Sequence, residues 1–336
     1  MTTDAHPFAD FIRTLGRGPS RSRALSLEEA EAAMAMICNG QAEPVQVGAL
    51  LVLLRYRGET PAELAGLVRA LRATVARPDP ESPPDLDWPT YAAGRSRGLP
   101  WFVLSALLLA GRGVRVLMHG PDGARNLPGS AERALAALGL PAAATTTEAV
   151  AQLARGGFAY LPLPRFCPKL QELIDLRRLL GLRTAANTVA RMLNPLAAPH
   201  LIQGVFHPPY RDLQQQAALL LGQPRLAVFK GGGGEAERPA AKSIEVFGVD
   251  GTAPTVESWP PLLALHAEEG RRGAGAVPDP AVMAALWRGD DQDEQATAVV
   301  IGSAALALRL LGRAASPAEA DALAAGWWRE RERGRF

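Results

Sequence analysis

Lysine is almost missing from this 336-residue chain: among its 36 basic residues only Lys169, Lys230 and Lys242 are lysines, and the rest are arginines. Net charge is missing as well, because 34 acidic residues leave a formal +2. That balance excludes a chain drawn to nucleic acid or membrane by a global polybasic field, so any electrostatic function is local. Cysteine is reduced to Cys38 and Cys167, with no CxxC and no Cys/His cluster. A disulfide framework and a structural zinc are thereby excluded, and a reducing, cytoplasmic location is expected. No apolar run reaches the roughly 20 residues of a membrane helix. The longest, Trp101–Ala110 and Ala298–Leu308, read as buried helices, and no membrane partner is expected. Residues 1–13 carry Asp4, His6 and Asp10 instead of a signal-peptide apolar core, and read as mature sequence.

What is present is a folding composition, 48% hydrophobic and 21% charged. The first eighty residues are helical in pattern. Ser26-Leu-Glu-Glu29 and Thr60-Pro-Ala-Glu63 each place a hydroxyl three residues before a carboxylate, the arrangement that satisfies orphan donors at a helix start. Between them, Pro44–Tyr56 is apolar nearly all round, which suggests a helix covered on two sides, the second by another subunit. Arg77–Pro89 then holds five prolines in thirteen residues and reads as a linker without regular structure. Beyond it, β-rich runs (Gly113–Met118, Phe158–Pro162, Leu201–Phe206, Arg225–Lys230, Ser243–Val249) alternate with helical ones. This predicts an α/β fold with a mostly parallel central sheet: a helical domain over 1–77, joined in space by segment 166–190, a hinge over 78–90 and an α/β domain over 91–336.

Ligands of open α/β sheets bind where strands end, so polar or glycine-rich strand exits are the places to look. Tyr91 with Arg95 and Arg97 offers a ring and two guanidinium forks suited to bases and phosphates. His119-Gly120 follows a strand. From Arg155 to Arg211 eight basic residues face two acidic ones, a local +6 that includes Arg165, Lys169, Arg177, Arg178 and Arg183. Such a concentration suits phosphodiesters, because each neutralised phosphate releases counterions. Lys230 leads into Gly231, Gly232, Gly233 and Gly234, whose backbone N–H groups can face an anion. Glu235 and Glu237 are weak candidates for a metal.

The order of these features resembles the anthranilate phosphoribosyltransferase family, within the nucleoside phosphorylase/phosphoribosyltransferase superfamily (glycosyltransferase family 3). The resemblance is carried by Ile37-Cys-Asn-Gly-Gln, Pro44-Val-Gln-Val-Gly-Ala-Leu-Leu and Arg57-Gly-Glu-Thr-Pro-Ala-Glu-Leu-Ala-Gly in the helical part. It continues through Met118-His-Gly, Gly129-Ser-Ala-Glu, Arg177-Arg-Leu-Leu-Gly-Leu-Arg-Thr-Ala-Ala-Asn187 and Leu193-Asn-Pro195. The chemistry-bearing motifs depart from the family. Its Gly-Thr-Gly-Gly-Asp loop falls at Thr90-Tyr-Ala-Ala-Gly94, its Asn-x-Ser-Thr at Pro100-Trp-Phe-Val103, and its Asp-Glu magnesium pair appears only as the displaced Glu235-Ala-Glu237.

The replacement residues are similar to a YbiB-type branch of the superfamily, described as DNA-binding. That resemblance implies a homodimer, paired through the N-terminal helices, that binds DNA or another nucleic acid without sequence preference. No cofactor is then required. Arg95, Arg97, Arg165, Lys169, Arg177, Arg178, Arg183 and Lys230 are the expected phosphate contacts, around a vestigial cleft of Tyr91, His119, Gly120, Asn187 and Gly231–Gly234. The alternative is a glycosyltransferase family 3 enzyme that transfers a pentosyl or phosphoribosyl group to an altered substrate. Magnesium enters only under that reading.

Overall fold

A computed structural model describes residues 6–18, 20–78, 82–91, 98–121, 129–264 and 279–335. Four helices open the chain: α1 (Ala9–Gly16), α2 (Leu27–Cys38), α3 (Pro44–Arg57) and α4 (Pro61–Arg72). Their starts follow the sequence signals. Ser26 and Glu29 exchange side-chain and backbone hydrogen bonds at the head of α2, and Thr60 and Glu63 do the same at α4. The α/β part continues with β1 (Leu86–Pro89), α5 (Phe102–Ala110), β2 (Val116–Gly120), α6 (Ala131–Ala137), α7 (Thr146–Gly156) and β3 (Phe158–Pro162). Next come α8 (Pro168–Asp175), α9 (Arg177–Leu180), α10 (Ala185–Met192), β4 (His200–Val205), α11 (Tyr210–Leu220) and β5 (Arg225–Lys230). The chain ends with β6 (Ile244–Asp250), β7 (Ala253–Trp259), α12 (Ala281–Arg288), α13 (Glu294–Leu310) and α14 (Pro317–Arg329).

The seven strands form one sheet in the order β3-β2-β1-β4-β5-β6-β7. The first five run parallel, and β6 and β7 close one edge antiparallel. The mostly parallel sheet expected from the sequence is present, with one difference at its centre. The stretch Arg77–Pro89, whose prolines argue against regular structure, ends in β1, the middle strand. Only Pro89 lies within β1, at its last position, where a missing N–H does least harm to the ladder.

One face of the sheet packs on α5 and α13, with α14 against α13. Every residue of α5 is buried, as its all-round apolar sequence requires. The other face packs on α7, α8 and α10, and this core runs on without a break into α2 and α4. Within it α10 packs on α3 and α4. Arg72 of α4 fastens the two parts. Its Nε and Nη2 donate to the Leu193 and Met192 carbonyls at 2.7 and 2.9 Å, filling acceptors left open at the end of α10. Burial pulls this guanidinium down to about 10. Among the described residues no helix is long and apolar enough to cross a membrane.

Candidate functional site

The sheet places one crevice. Strand order reverses between β1 and β4, the kind of switch point where open α/β sheets bind ligands. The two strands pair only through Leu86↔His200 and Asp87↔Leu201. They part toward their carboxyl ends, and polar side chains fill the opening from both faces of β1.

On the α10 face, a fully buried chain links Asp87, His119 and Tyr91. His119 Nε2 lies 3.1 Å from Asp87 Oδ2, and its Nδ1 lies 2.8 Å from the Tyr91 hydroxyl. The carboxylate only accepts, so Nε2 carries the proton and Nδ1 receives the phenol O–H. Burial raises the Tyr91 hydroxyl well above its ordinary range, so it stays a phenol. Both ring nitrogens of His119 are committed, which makes it an organiser of the strand exits. Arg191 of α10 donates to the Tyr91 carbonyl at 3.0 Å and to the Asn187 carbonyl at 2.7 Å. Burial pulls the Arg191 guanidinium down, and the charge of Glu235 partly opposes that.

On the α5 face, Thr90 Oγ1 donates to Glu235 Oε1 at 3.0 Å, and the Phe102 amide donates to Glu237 Oε2 at 3.2 Å. Both glutamates are buried. The four-glycine run makes room for them. A Cβ on Gly231 would fall 1.8 Å from the Glu235 carbonyl oxygen, one on Gly204 of β4 2.0 Å from the same peptide, and one on Gly232 2.8 Å from Glu237 Oε1. The loop's amides largely serve the loop itself: those of Gly231, Gly232, Gly234 and Glu235 donate to the carbonyls of Val205, Glu237, Gly231 and Gly232. Gly233 sits exposed at the tip with φ +64°.

The other sequence candidates scatter around this crevice. Gly120 is required by close approach, since a Cβ there would meet the Tyr160 hydroxyl at 2.7 Å and the Thr90 carbonyl at 2.8 Å. The Asn187 side chain accepts from the Thr184 amide and so starts α10. Arg177, Arg178 and Arg183 are exposed beside it. The Arg183 guanidinium is pulled down by burial and by the charge of Arg177. Arg165 and Lys230 stand exposed at the exits of β3 and β5. Arg95 and Arg97 lie outside the described residues. Asp87, Thr90 and Arg191 carry much of the polar network, yet none is a candidate on sequence grounds. The available signals are a lone acid between apolar strand residues, and a hydroxyl at a strand exit.

Part of the local +6 is spent within the fold. Lys169 pairs with Glu172, Arg211 with Glu245 at 3.2 Å, and Arg191 is consumed inside the crevice. A divalent metal also finds a poor fit. Glu235 and Glu237 each have an oxygen engaged by a protein donor, and among the described residues no group of three His, Cys, Asp or Glu side chains converges.

Two family models match the chain: the glycosyl transferase family helical bundle domain over residues 9–75 and the glycosyl transferase family a/b domain over residues 103–329. An anthranilate phosphoribosyltransferase of Nitratidesulfovibrio vulgaris is 36% identical over 211 residues, spanning 62% of each chain. One from Caldivirga maquilingensis is 30% identical over 315 residues, 91% of this chain and 90% of that one. The crystal structure of the Thermus thermophilus enzyme superposes with a TM-score of 0.77 at 28% identity, covering 96% and 94% of the two chains. A Saccharomyces cerevisiae anthranilate phosphoribosyltransferase in complex with PRPP and Mg also gives 0.77, at 16% identity, and there shows the fold alone. These relatives are named for phosphoribosyl transfer, which corrects the expectation of sequence-independent DNA binding. The physical reason is the one above: the basic segment is partly neutralised and partly buried. The chain belongs to the anthranilate phosphoribosyltransferase-like branch of glycosyltransferase family 3.

Proposed function

We propose that this protein is a pentosyl- or phosphoribosyl-transferring enzyme whose substrate differs from that of its anthranilate-specific relatives. The observation that carries the reading is the switch-point crevice, kept in a two-domain architecture that relatives named for phosphoribosyl transfer share along nearly the whole chain. A changed substrate is supported by the residues lining it. Thr90 and Tyr91 stand in the first two positions of the family's glycine-rich loop, and their side chains are spent on Glu235 and His119.

In such a transfer the bond from the pentose C1 to its leaving oxygen breaks, an acceptor lone pair forms the new C1 bond, and the acceptor gives up a proton. Arg177 and Arg183 are exposed and unpaired by any acid among the described residues, so they supply cationic anchors for an anionic acceptor. The buried Asp87–His119–Tyr91 chain holds the β1 and β2 exits in register below it. Magnesium, which the fold family implies, fits poorly here, because the Thr90 hydroxyl and the Phe102 amide already hold one oxygen of Glu235 and of Glu237.

The test is a donor-consumption assay with phosphoribosyl diphosphate, pentose 1-phosphates and a panel of aromatic and heterocyclic acceptors bearing carboxylates. Acceptor-dependent consumption is expected, with KM for the acceptor rising about tenfold or more in Arg177→Ala/Arg183→Ala. If no donor is consumed with any acceptor, the proposal is wrong.

The same reading extends to assembly. The inner side of α3 buries Leu50, Leu51 and Leu54, while Val45 and Tyr56 remain 78% and 88% exposed on the outside. Two copies pairing there would cover both. A parent dimer in sedimentation velocity, converted to a monomer by Val45→Arg/Tyr56→Arg with unchanged thermal unfolding, is the expected result; a monomeric parent would refute it.

A further inference from the structure

We infer that Glu237 is a specificity-determining residue: its carboxylate fills the N-terminus of α5 and restricts the crevice to pentosyl donors that leave with a single phosphate and without a divalent cation. The inference rests on the transferase reading above and deepens it to the class of donor.

The first turn of any helix presents N–H groups without intrahelical partners, and the helix dipole favours an anion there. Trp101, the residue capping α5, contributes no side-chain acceptor. Glu237 reaches in from the loop after β5 and takes the Phe102 amide instead, at 3.2 Å. Two residues earlier, Glu235 takes the Thr90 hydroxyl at the exit of β1. Among the described residues, the Phe102 amide and the Thr90 hydroxyl, two donors that a phosphate at this end of the crevice could use, are therefore answered by carboxylates belonging to the chain.

Their placement is built into the backbone. Gly232 lacks a side chain where Glu237 Oε1 sits, and Gly231 and Gly204 lack one where the Glu235 peptide sits. The next residue, Arg238, is fully buried and tied to Asp321 at 2.6 Å, so the loop is anchored on both sides. Neither acid can swing aside without breaking contacts that these glycines exist to permit.

A diphosphate brought to the same place adds charge to two buried carboxylates, and like charges at short range repel strongly where water is scarce. A divalent cation bound there would have to share Glu235 and Glu237 with the Thr90 hydroxyl and the Phe102 amide, which already hold one oxygen of each. A monophosphate needs fewer donors and brings less charge. Arg183, just before α10, and Lys230, at the exit of β5, are exposed cations that can meet that smaller charge.

Calorimetric binding of ribose 1-phosphate and of phosphoribosyl diphosphate, each with and without magnesium, tests this on the parent protein, Glu237→Gln and Glu237→Ala. Gln keeps the shape and can still accept from the Phe102 amide, so folding is retained and only the charge is removed. The parent is expected to bind ribose 1-phosphate without a response to magnesium, and the diphosphate at least about tenfold more weakly. Glu237→Gln is expected to tighten the diphosphate by about tenfold while leaving ribose 1-phosphate within about twofold. Magnesium-dependent diphosphate binding in the parent, lost in Glu237→Gln, would make the glutamates metal ligands. That result overturns this inference and leaves the transferase reading standing. Failure of the folded parent to bind either donor overturns both.

Discussion

Arg238→Ala is expected to lower the unfolding free energy by about 3–5 kcal/mol, the usual cost of stranding one partner of a buried ion pair. The Arg238 side chain is completely inaccessible. Its Nη1 and Nη2 donate to the Asp321 carboxylate at 2.6 and 3.4 Å, and Nη2 also donates to the Pro260 carbonyl at 2.6 Å. The guanidinium stacks on Trp259, 4.7 Å from the ring centre. One side chain thus joins the loop after β5 to β7 and α14. Burial already raises the Asp321 carboxyl, and only Arg238 opposes that. Removing Arg238 leaves burial to act alone, so Asp321 in the variant holds its proton to higher pH than in the unfolded chain. For a carboxyl raised in the folded state, the penalty is absent below the unfolded value and grows as pH climbs through the folded one. Urea unfolding at several pH values should therefore show the variant's deficit shrinking toward acid. Adding Asp321→Asn should recover part of it at neutral pH, because the stranded charge is then gone. A deficit that ignores both pH and Asp321→Asn would mean that lost packing, not a stranded carboxylate, sets the cost.

Much of this architecture was legible in the sequence because local signals and tertiary packing agree. The hydroxyl-to-carboxylate spacings at Ser26 and Thr60 work as helix starts, Phe158–Pro162 and Arg225–Lys230 form strands at the expected residues, and the apolar run after Trp101 is a wholly buried helix. The misses share a cause. Strand β1 was hidden by flanking prolines, although its own residues, Leu86, Asp87 and Trp88, are strand-like and buried. Its partners at β2 and β4 lie about thirty and more than a hundred residues away, so nothing local marks it as central. Strand β7 begins Ala253-Pro254 and is mostly exposed, which erases the alternation a half-buried strand displays.

The site was harder to read for the same reason. A count of charges from Arg155 to Arg211 treats Arg191 and Arg178 alike, yet one lies inside the crevice against the Tyr91 carbonyl and the other points to water. The glycine run suggested a place for an anion. In the fold the anion beside it is part of the chain, Glu235 and Glu237, and the missing side chains are space for those acids.

Gly204→Ala should therefore disable the crevice. Its Cβ would lie 2.0 Å from the carbonyl carbon and oxygen of Glu235 and 2.4 Å from the Ala236 nitrogen. These are backbone atoms and cannot rotate away, and Gly204 itself is held in the sheet opposite Phe229. The Glu235 peptide must move by more than an ångström to reach ordinary contact. The Thr90–Glu235 and Phe102–Glu237 bonds, at 3.0 and 3.2 Å, have no slack for such a shift. Overpacking of this kind costs about 1–3 kcal/mol in stability. Misplacing the strand-exit groups by about 1 Å should cost about 100-fold in turnover. Gly251→Ala separates strain from position. Gly251 turns between β6 and β7 with φ +62° and nothing within 4 Å of its Cβ site, so alanine there strains the backbone without touching the crevice. Gly251→Ala is expected to lose about 1 kcal/mol of stability and to keep its donor affinity. Parent-like donor binding and melting in Gly204→Ala would mean that the Glu235 loop is not seated against β4, and the crevice would then be open to a diphosphate after all.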